Sequence, residues 1–453
     1  MRSLLLRLYG AFTFLAQPLV RRKLRARAVA EPGYAVAVEE RFGHYDAAAT
    51  GTGWCWVHAV SLGESRAAGI LIAELRRQQP GIPILLTHGT ATGREEGAKL
   101  LEPGDLQVWQ PWDTPGAVNR FLARFAPRIG VLMETEVWPE MVAACVERRI
   151  PLVLANARLN AKSLASAERL GWLARPAYSS LAAVWAQTEA DAHRLVSLGA
   201  KVAGVFGNLK FDATPDSRQL AAAAKFRTQL PKPLVVLASS RDGEEQMFLD
   251  ALKRFGAGAP LPPEQVGVQS IARQVAGVQW MIVPRHPQRF DEVAALIESN
   301  GFGVARRSTA GAPAEQEIWL GDSLGEMALY YGLADVALLG GSFAPLGGQN
   351  LIEAAACGCP VVLGPSTFNF AEAAELSLAA GAAARVANME QAVKTALGLV
   401  ADATRREVMA EAAQTFASAN RGASERTAKA ILAIAESTVA APVLEDRPEP
   451  SLD

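Results

Sequence analysis

The sequence predicts an α/β protein built as two doubly wound halves in tandem, led by an apolar N-terminal helix with a basic flank. Three observations carry this. From residue 54 onward, short continuous apolar runs alternate with helical patterns. The alternation lapses once, over residues 212–232, and then restarts. The first residues, M-R-S-L-L-L-R-L-Y-G-A-F-T-F-L-A-Q-P-L-V, are apolar and are followed by R-R-K-L-R-A-R. Continuous apolar strands between helices indicate a parallel sheet covered on both faces. A chain of 453 residues has room for two such sheets.

Taken in order, the N-terminal run from Leu8 to Val20 is only 13 residues long and is interrupted by Gln17 and Pro18. A helix spanning a bilayer needs about 20 apolar residues, so this one is marginal. No small-residue cleavage site follows it. Arg21, Arg22, Lys23, Arg25 and Arg27 come instead, the pattern of an uncleaved anchor or of a helix lying on anionic lipid. Next, W-C-W-V-H-A-V reads as a strand and S-R-A-A-G-I-L-I-A-E-L-R-R as a helix. I-P-I-L-L-T-H, R-I-G-V-L-M-E-T-E, P-L-V-L-A-N-A, A-A-V-W-A-Q and V-A-G-V-F-G-N continue the strand series. The polar, proline-bearing stretch 212–232 reads as a linker. P-L-V-V-L-A-S-S, V-Q-W-M-I-V-P, E-I-W-L-G-D, V-A-L-L-G-G and P-V-V-L-G-P then form the second series. The Gly- and Pro-rich residues 256–267 read as a surface insertion. The chain is mostly helical from Met389 and ends in a tail of disordered character.

The formal net charge of −1 gives no global basic field for nucleic acid. Four cysteines, Cys55, Cys145, Cys357 and Cys359, lack the companions of a zinc site and read as buried thiols in a reducing compartment.

Ligands of doubly wound sheets bind at the carboxyl ends of strands, and two such halves facing each other make a central cleft. The chemically capable residues fall at these ends. The tetrapeptide Ser-Leu-Gly-Glu occurs twice, at Ser61–Glu64 and Ser323–Glu326, each time between a strand and a helix. Glu64 is either a first-turn acid favoured by the helix dipole or a general base. T-H-G-T-A-T-G-R-E lacks the Lys-Ser/Thr ending of a P-loop. In M-E-T-E-V-W-P-E, the acids Glu134 and Glu136 stand at a strand end, where two carboxylates are costly to bury without a role. Lys210 closes the first strand series in G-N-L-K-F-D. Arg285 in V-P-R-H-P-Q-R-F is placed to pair with phosphate; the neighbouring His286 is a structural hydrogen-bonder or a ligand. Finally, G-G-S-F-A-P-L-G-G-Q-N-L-I-E-A runs from a strand through a Gly-rich loop into a helix opening near Asn350, with Glu353 one turn in. This suits a sugar nucleotide.

The motifs V-S-L-G-E-S, E-T-E-V-W-P, N-A-R-L-N, G-N-L-K-F-D, V-P-R-H-P-Q-R-F, S-L-G-E-M-A-L-Y-Y and G-G-Q-N-L-I-E-A, in this order, resemble the 3-deoxy-D-manno-octulosonic acid (Kdo) transferases of Gram-negative bacteria, over residues 1 to about 430. The resemblance implies the GT-B architecture, two Rossmann-like domains facing a cleft. It implies inverting transfer of Kdo from CMP-Kdo to a lipid A precursor at the cytoplasmic face of the inner membrane, with no metal or other cofactor. It assigns Glu64 as proton acceptor and Glu134 and Lys210 as transition-state stabilisers. Pro284, Arg285, Leu324, Gly325, Glu326, Asn350, Leu351, Ile352 and Glu353 are assigned to CMP. The expected division is an anchor with its basic flank (1–30), an acceptor domain (31–213), a linker (214–232), a CMP-sugar domain with closing helices (233–435) and a disordered tail (436–453). Two positions depart from the family pattern: Gln349 stands in a histidine's place, and His88 where threonine is commoner. The rival readings are a GT-B enzyme that uses a UDP-sugar and a non-catalytic sugar-nucleotide-binding membrane protein.

Overall fold

The computed structural model describes residues 3–46, 53–256, 274–309 and 317–440. They fall into two compact units, residues up to Asp212 together with those from Arg421, and Ala213–Asn420.

The first unit holds β1 (Cys55–His58), β2 (Ile84–His88), β3 (Leu106–Trp109), β4 (Ile129–Met133), β5 (Leu152–Ala157), β6 (Ala183–Ala186) and β7 (Val202–Val205). They form one sheet in the order β3-β2-β1-β4-β5-β6-β7, and neighbouring strands run parallel throughout. Both faces are buried, as the unbroken apolar strands require. Trp56, Leu85, Leu132 and Leu154 pack on one side, and Val57, Leu86, Val131 and Val153 on the other.

The second unit repeats the plan with β8 (Leu234–Ser240), β9 (Gln279–Pro284), β10 (Gly303–Arg306), β11 (Glu317–Leu320), β12 (Val336–Leu339), β13 (Val361–Leu363) and β14 (Ala383–Arg385). The order is β10-β11-β9-β8-β12-β13-β14, again parallel. In each sheet the direction of winding reverses once, between β1 and β4 and between β8 and β12. These are the switch points, where neighbouring crossovers part and leave a crevice at the strands' carboxyl ends.

Three expectations change. Residues 214–232 are more than a linker: Asp216 caps a helix, Ser217–Arg227, through bonds to the Arg218 and Gln219 amides. The closing helix Ala423–Ala440 belongs to the first unit, not to the CMP-sugar domain. Its Ala423, Ala428, Ile431 and Ala435 complete the apolar layer beside Leu71 and Leu75. Asp212 holds its start by accepting from the Gly422 and Ser424 amides, both at 2.5 Å.

The third change concerns the anchor. The N-terminus forms two helices, Leu4–Leu15 and Gln17–Ala30. Among the described residues no helix is long and apolar enough to cross a membrane. At 1.5 Å per residue the first is only about 18 Å long. One side of it is docked: Tyr9 donates to Asp113 at 3.0 Å, and a side chain at Gly10 would meet Pro115 and Glu140. Leu4, Leu8, Phe12 and Leu15 remain exposed. Most of the expected surface insertion, and the tail beyond Ala440, lie outside the described residues; residues 436–440 are still helical.

Candidate active site

In the first unit, the ends of β1, β4 and β5 and the turn after β7 bring five charged side chains, Glu64, Glu134, Glu136, Arg158 and Lys210, to the switch-point end of the sheet. The helix Leu62–Gln78 follows β1 and opens with a reciprocal capping box. Ser61 Oγ accepts from the Glu64 amide at 3.4 Å, and Glu64 Oε2 accepts from the Ser61 amide at 2.6 Å. The two readings of Glu64 are therefore not exclusive, since it caps its helix and also stands beside a second acid. It is only 7% exposed. Burial, and then the charge of Glu134, push its carboxyl up to about 7, against the hydrogen bonds from Ser61.

Glu134 follows β4 with φ +57. Left-handed backbone costs a non-glycine residue about 1–2 kcal/mol, so the fold holds this carboxylate in place at some expense. It is 3% exposed. Arg158 Nε lies 2.6 Å from Oε2 and Lys210 Nζ 3.6 Å from Oε1. Glu136, two residues on, accepts from Trp138 Nε1 at 3.1 Å. Burial raises its carboxyl above the usual range, with Glu134 adding to the rise.

Lys210 sits on a one-turn helix, Leu209–Asp212, and Asn156 fixes that turn. Asn156 Oδ1 accepts from the Leu209 amide at 3.0 Å, and its own carbonyl accepts from Gln187 Nε2 at 2.9 Å. Asn156 too is left-handed, with φ +53. The sequence motif N-A-R-L-N was visible without a role. The structure gives it two: Asn156 holds the turn that carries Lys210, and Arg158 pairs with Glu134. Beside this group, a cavity of about 530 Å³ opens on Thr135, Lys162, Ser163, Ser166 and Tyr178.

His88 does not line this surface. It is fully buried at the end of β2, where Nδ1 lies 2.8 Å from the Ala59 carbonyl and 3.3 Å from Ser65 Oγ. Burial pushes its imidazole down to about 4, so it is a neutral packing residue beneath the Glu64 helix.

In the second unit, the ends of β8, β9 and β12 gather cations and a pinned loop. Arg285 follows β9, its amide donating to the Ser240 carbonyl at 3.0 Å. The imidazole of His286 falls below its usual range, first through burial and then through Arg241, Arg285 and Arg289 around it. Arginine side chains at strand ends suit a phosphate. Arg289 is offset by three carboxylates, Glu245 at 2.8 Å, Glu292 at 3.1 Å and Asp242 at 3.4 Å, which leaves Arg241 and Arg285 as the cations for an anion. Sequence reasoning passed over Arg241 and also Glu244, the residue that shapes the Gly-rich loop. Glu244 is fully buried. Its Oε1 accepts from the Phe343 and Ala344 amides at 3.0 and 3.2 Å, and its Oε2 from the Gly341 and Arg241 amides at 2.6 and 2.9 Å. No motif signals an acid whose partners are backbone amides about a hundred residues away.

The second Ser-Leu-Gly-Glu is built differently from the first. Gly325 is left-handed at φ +79, and the helix starts only at Met327. Glu326 accepts from Arg307 Nη2 at 3.1 Å and from Ser323 Oγ. Leu324 is exposed, and the Gly325 carbonyl accepts from Gln219 Nε2 at 2.8 Å. Asn350 caps the short helix Leu351–Ala356 through the Ile352 amide at 3.2 Å. Leu351 and Ile352 have their side chains in the core, so only their backbone is available to a ligand. Pro284 ends β9 buried, and Glu353 is partly buried in the first helical turn. Among the described residues, no group of three or more His, Cys, Asp and Glu side chains converges as metal ligands would.

Comparison with known proteins adds an independent line. Residues 37–213 match the family described as 3-Deoxy-D-manno-octulosonic-acid transferase (kdotransferase). The chain is 46% identical to the 3-deoxy-D-manno-octulosonic acid transferase of Bordetella pertussis over 383 residues, 83% of this chain and 86% of that protein. It is 30% identical to the enzyme of the same name from Haemophilus influenzae over 425 residues, 92% and 96% of the two chains. Among solved structures, a glycosyltransferase from Rickettsia africae matches with a TM-score of 0.54 at 13% identity, over 86% of this chain and 100% of that one. That likeness is one of fold.

Proposed function

The chain belongs to the 3-deoxy-D-manno-octulosonic acid (Kdo) transferases, glycosyltransferases of lipopolysaccharide biosynthesis, and from that premise we propose that Glu64 is the base of the transfer, CMP-Kdo the donor and a lipid A precursor the acceptor. Glu64 accepts the proton of an acceptor hydroxyl while that oxygen forms its bond to the anomeric carbon of Kdo. The bond from that carbon to the CMP phosphate breaks, and CMP leaves with the electron pair. The observation that carries this reading is Glu64 itself, a buried carboxyl fixed by its own capping box and pushed up to about 7. A general base works best when its pKa lies near the operating pH.

Glu134 and Lys210 are proposed to stabilise charge as the sugar leaves its phosphate. Their ion pair supports this, because it presets two opposite charges that need not reorganise during the reaction. The departing CMP is assigned to the second unit. Arg241 and Arg285 meet its phosphate, and Glu326, Gly325, Asn350 and Glu353 bound the nucleotide, with Leu324, Leu351 and Ile352 offering backbone. No metal is called on in this scheme, since cations supply the charge that a leaving phosphate needs. The cavity beside Thr135 is proposed for the acceptor sugar. The exposed face of Leu4–Leu15, followed by Arg21, Arg22, Lys23, Arg25 and Arg27, is proposed to rest on the anionic cytoplasmic leaflet of the inner membrane, lying along it.

The test is transfer from freshly generated CMP-Kdo to tetraacylated lipid A precursor in detergent, wild type beside Glu64→Ala. Product from the wild type and a loss of at least about a hundredfold in the variant is expected. Full activity in the variant would remove Glu64 from the mechanism, and inhibition by UDP but not by CMP would overturn the donor assignment.

A further inference from the structure

Resting on Glu64 as the base, we infer that Arg158 is a positioning residue of the transfer: it acts through Glu134, fixing that carboxylate and offsetting its charge so that Glu64 stays competent to take a proton. The geometry points to this division of labour. Glu134 carries two cations on different oxygens. Arg158 Nε is at 2.6 Å on Oε2 and Lys210 Nζ at 3.6 Å on Oε1, so the arginine makes the closer contact. A second link joins the same two residues, the Arg158 amide donating to the Glu134 carbonyl at 3.3 Å. The left-handed backbone of Glu134 is thus tied at both its main chain and its side chain to one residue of the neighbouring strand end.

Burial separates the roles further. The Glu134 side chain is 3% exposed and that of Arg158 is 51% exposed. A half-exposed arginine contributes little to the core, so its place is set by the ion pair rather than by packing. Lys210, 21% exposed on its own turn, is held by Asn208, which accepts from its amide, and by Asn156, which accepts from the amide of Leu209 before it. Its ammonium can turn to the reacting sugar only if Glu134 has another counterion.

The electrostatic surroundings of Glu64 are acidic. Glu134 and Glu136 both act on it, in the direction that keeps its proton on. Other charged groups lie on the elements packed against its helix. Ala91–Ala98 carries Arg94, paired with Glu40; Glu95; and Glu96, paired with Arg66 and Lys99. Leu209–Asp212 carries Lys210 and Asp212, and Ala423–Ala440 carries Glu425, Arg426, Lys429 and Glu436. Against this background the cation on Glu134 Oε2 decides how much of that residue's negative charge reaches Glu64.

The experiment is the pH dependence of kcat/KM for Kdo transfer, from CMP-Kdo to lipid A precursor, between about pH 5.5 and about 9.5. Full-length wild type, Arg158→Gln, Arg158→Lys and Glu64→Gln are compared, with thermal midpoints measured alongside. The wild type is expected to lose activity below about pH 7, and Glu64→Gln to be lower by about 10²–10⁴ throughout. Arg158→Gln should move that limb up by about one pH unit, a loss of about tenfold at about pH 6, and should return to within about threefold of wild type at about pH 9. Arg158→Lys should restore the wild-type limb. A loss of the same factor at every pH, or a limb that stays in place, overturns the inference and leaves Arg158 a structural or dispensable residue. A wild-type profile with no acid limb, or a fully active Glu64→Gln enzyme, instead removes the base assignment, and this inference with it.

Discussion

Glu64 carries two duties that pull on the same carboxyl group. As a cap it should be a carboxylate, accepting from the Ser61 amide; as a buried acid beside Glu134 it is pushed toward the protonated form. A carboxyl whose pKa is about 7 in the fold, against about 4.3 in the unfolded chain, favours folding at low pH. That advantage is lost as pH rises from about 4.3 through 7. Glu64→Gln keeps an oxygen for the Ser61 amide and never ionises. It should unfold with the wild type at about pH 4 but be more stable at about pH 8, by up to ~2–3 kcal/mol, while transfer falls by about 10²–10⁴. Urea denaturation at the two pH values reads the first effect, and an equal stability gain at both would contradict it. At this scale the sequence was informative where chemistry is local. Glu64, Glu134 and Lys210 stood out because acids and lysines at strand ends are unusual. Asn156, Arg158, Arg241 and Glu244 did not, because each acts on partners that only folding supplies. The same limit applies to His88: the sequence places it at the end of a strand, and only the fold shows its ring buried against Ala59 and Ser65.

The two Ser-Leu-Gly-Glu segments show how far an element's neighbours govern identical residues. In the first, a helix begins at Leu62 and Gly63 lies inside it, with nothing nearer to an added methyl than Ser61 Oγ at 3.9 Å. In the second, Gly325 turns left-handed and the helix waits until Met327. The difference has a measurable outcome. Gly63→Ala should leave the thermal midpoint unchanged or slightly raised, since alanine suits a helix better than glycine. Gly325→Ala should cost about 1–2 kcal/mol, because its backbone needs the conformation that alanine resists. Equal effects in thermal melts would mean that the two copies share one backbone form. The strands were legible throughout, since a short apolar run bounded by turn residues is too brief for a helix and fits a strand covered on both faces. The helix Ser217–Arg227 was not, because the flanking Pro215, Pro231 and Pro233 resemble a linker and its alanines show no strong apolar stripe.

At the scale of the whole molecule, the helices Leu4–Leu15 and Gln17–Ala30 and the closing helix Ala423–Ala440 all belong to the first unit. The N-terminal helices present Leu4, Leu8, Phe12 and Leu15 to solvent, beside a run of basic residues. If this face meets the membrane, Leu8→Asp with Phe12→Asp should abolish sedimentation with vesicles containing anionic lipid and leave the melting temperature in place, because neither side chain is in the core. Retained vesicle binding would refute the interfacial helix. The sequence by itself determined the α/β class, the two parallel sheets and the strand ends where charged residues stand, because hydrophobic periodicity and residue type are local properties of the chain. Only the tertiary structure decided that the closing helix returns to the first sheet, that the N-terminal run is two short helices, and which cations meet Glu134. Those outcomes depend on which surfaces bury one another and which charges are desolvated together, quantities that do not exist until the chain has folded.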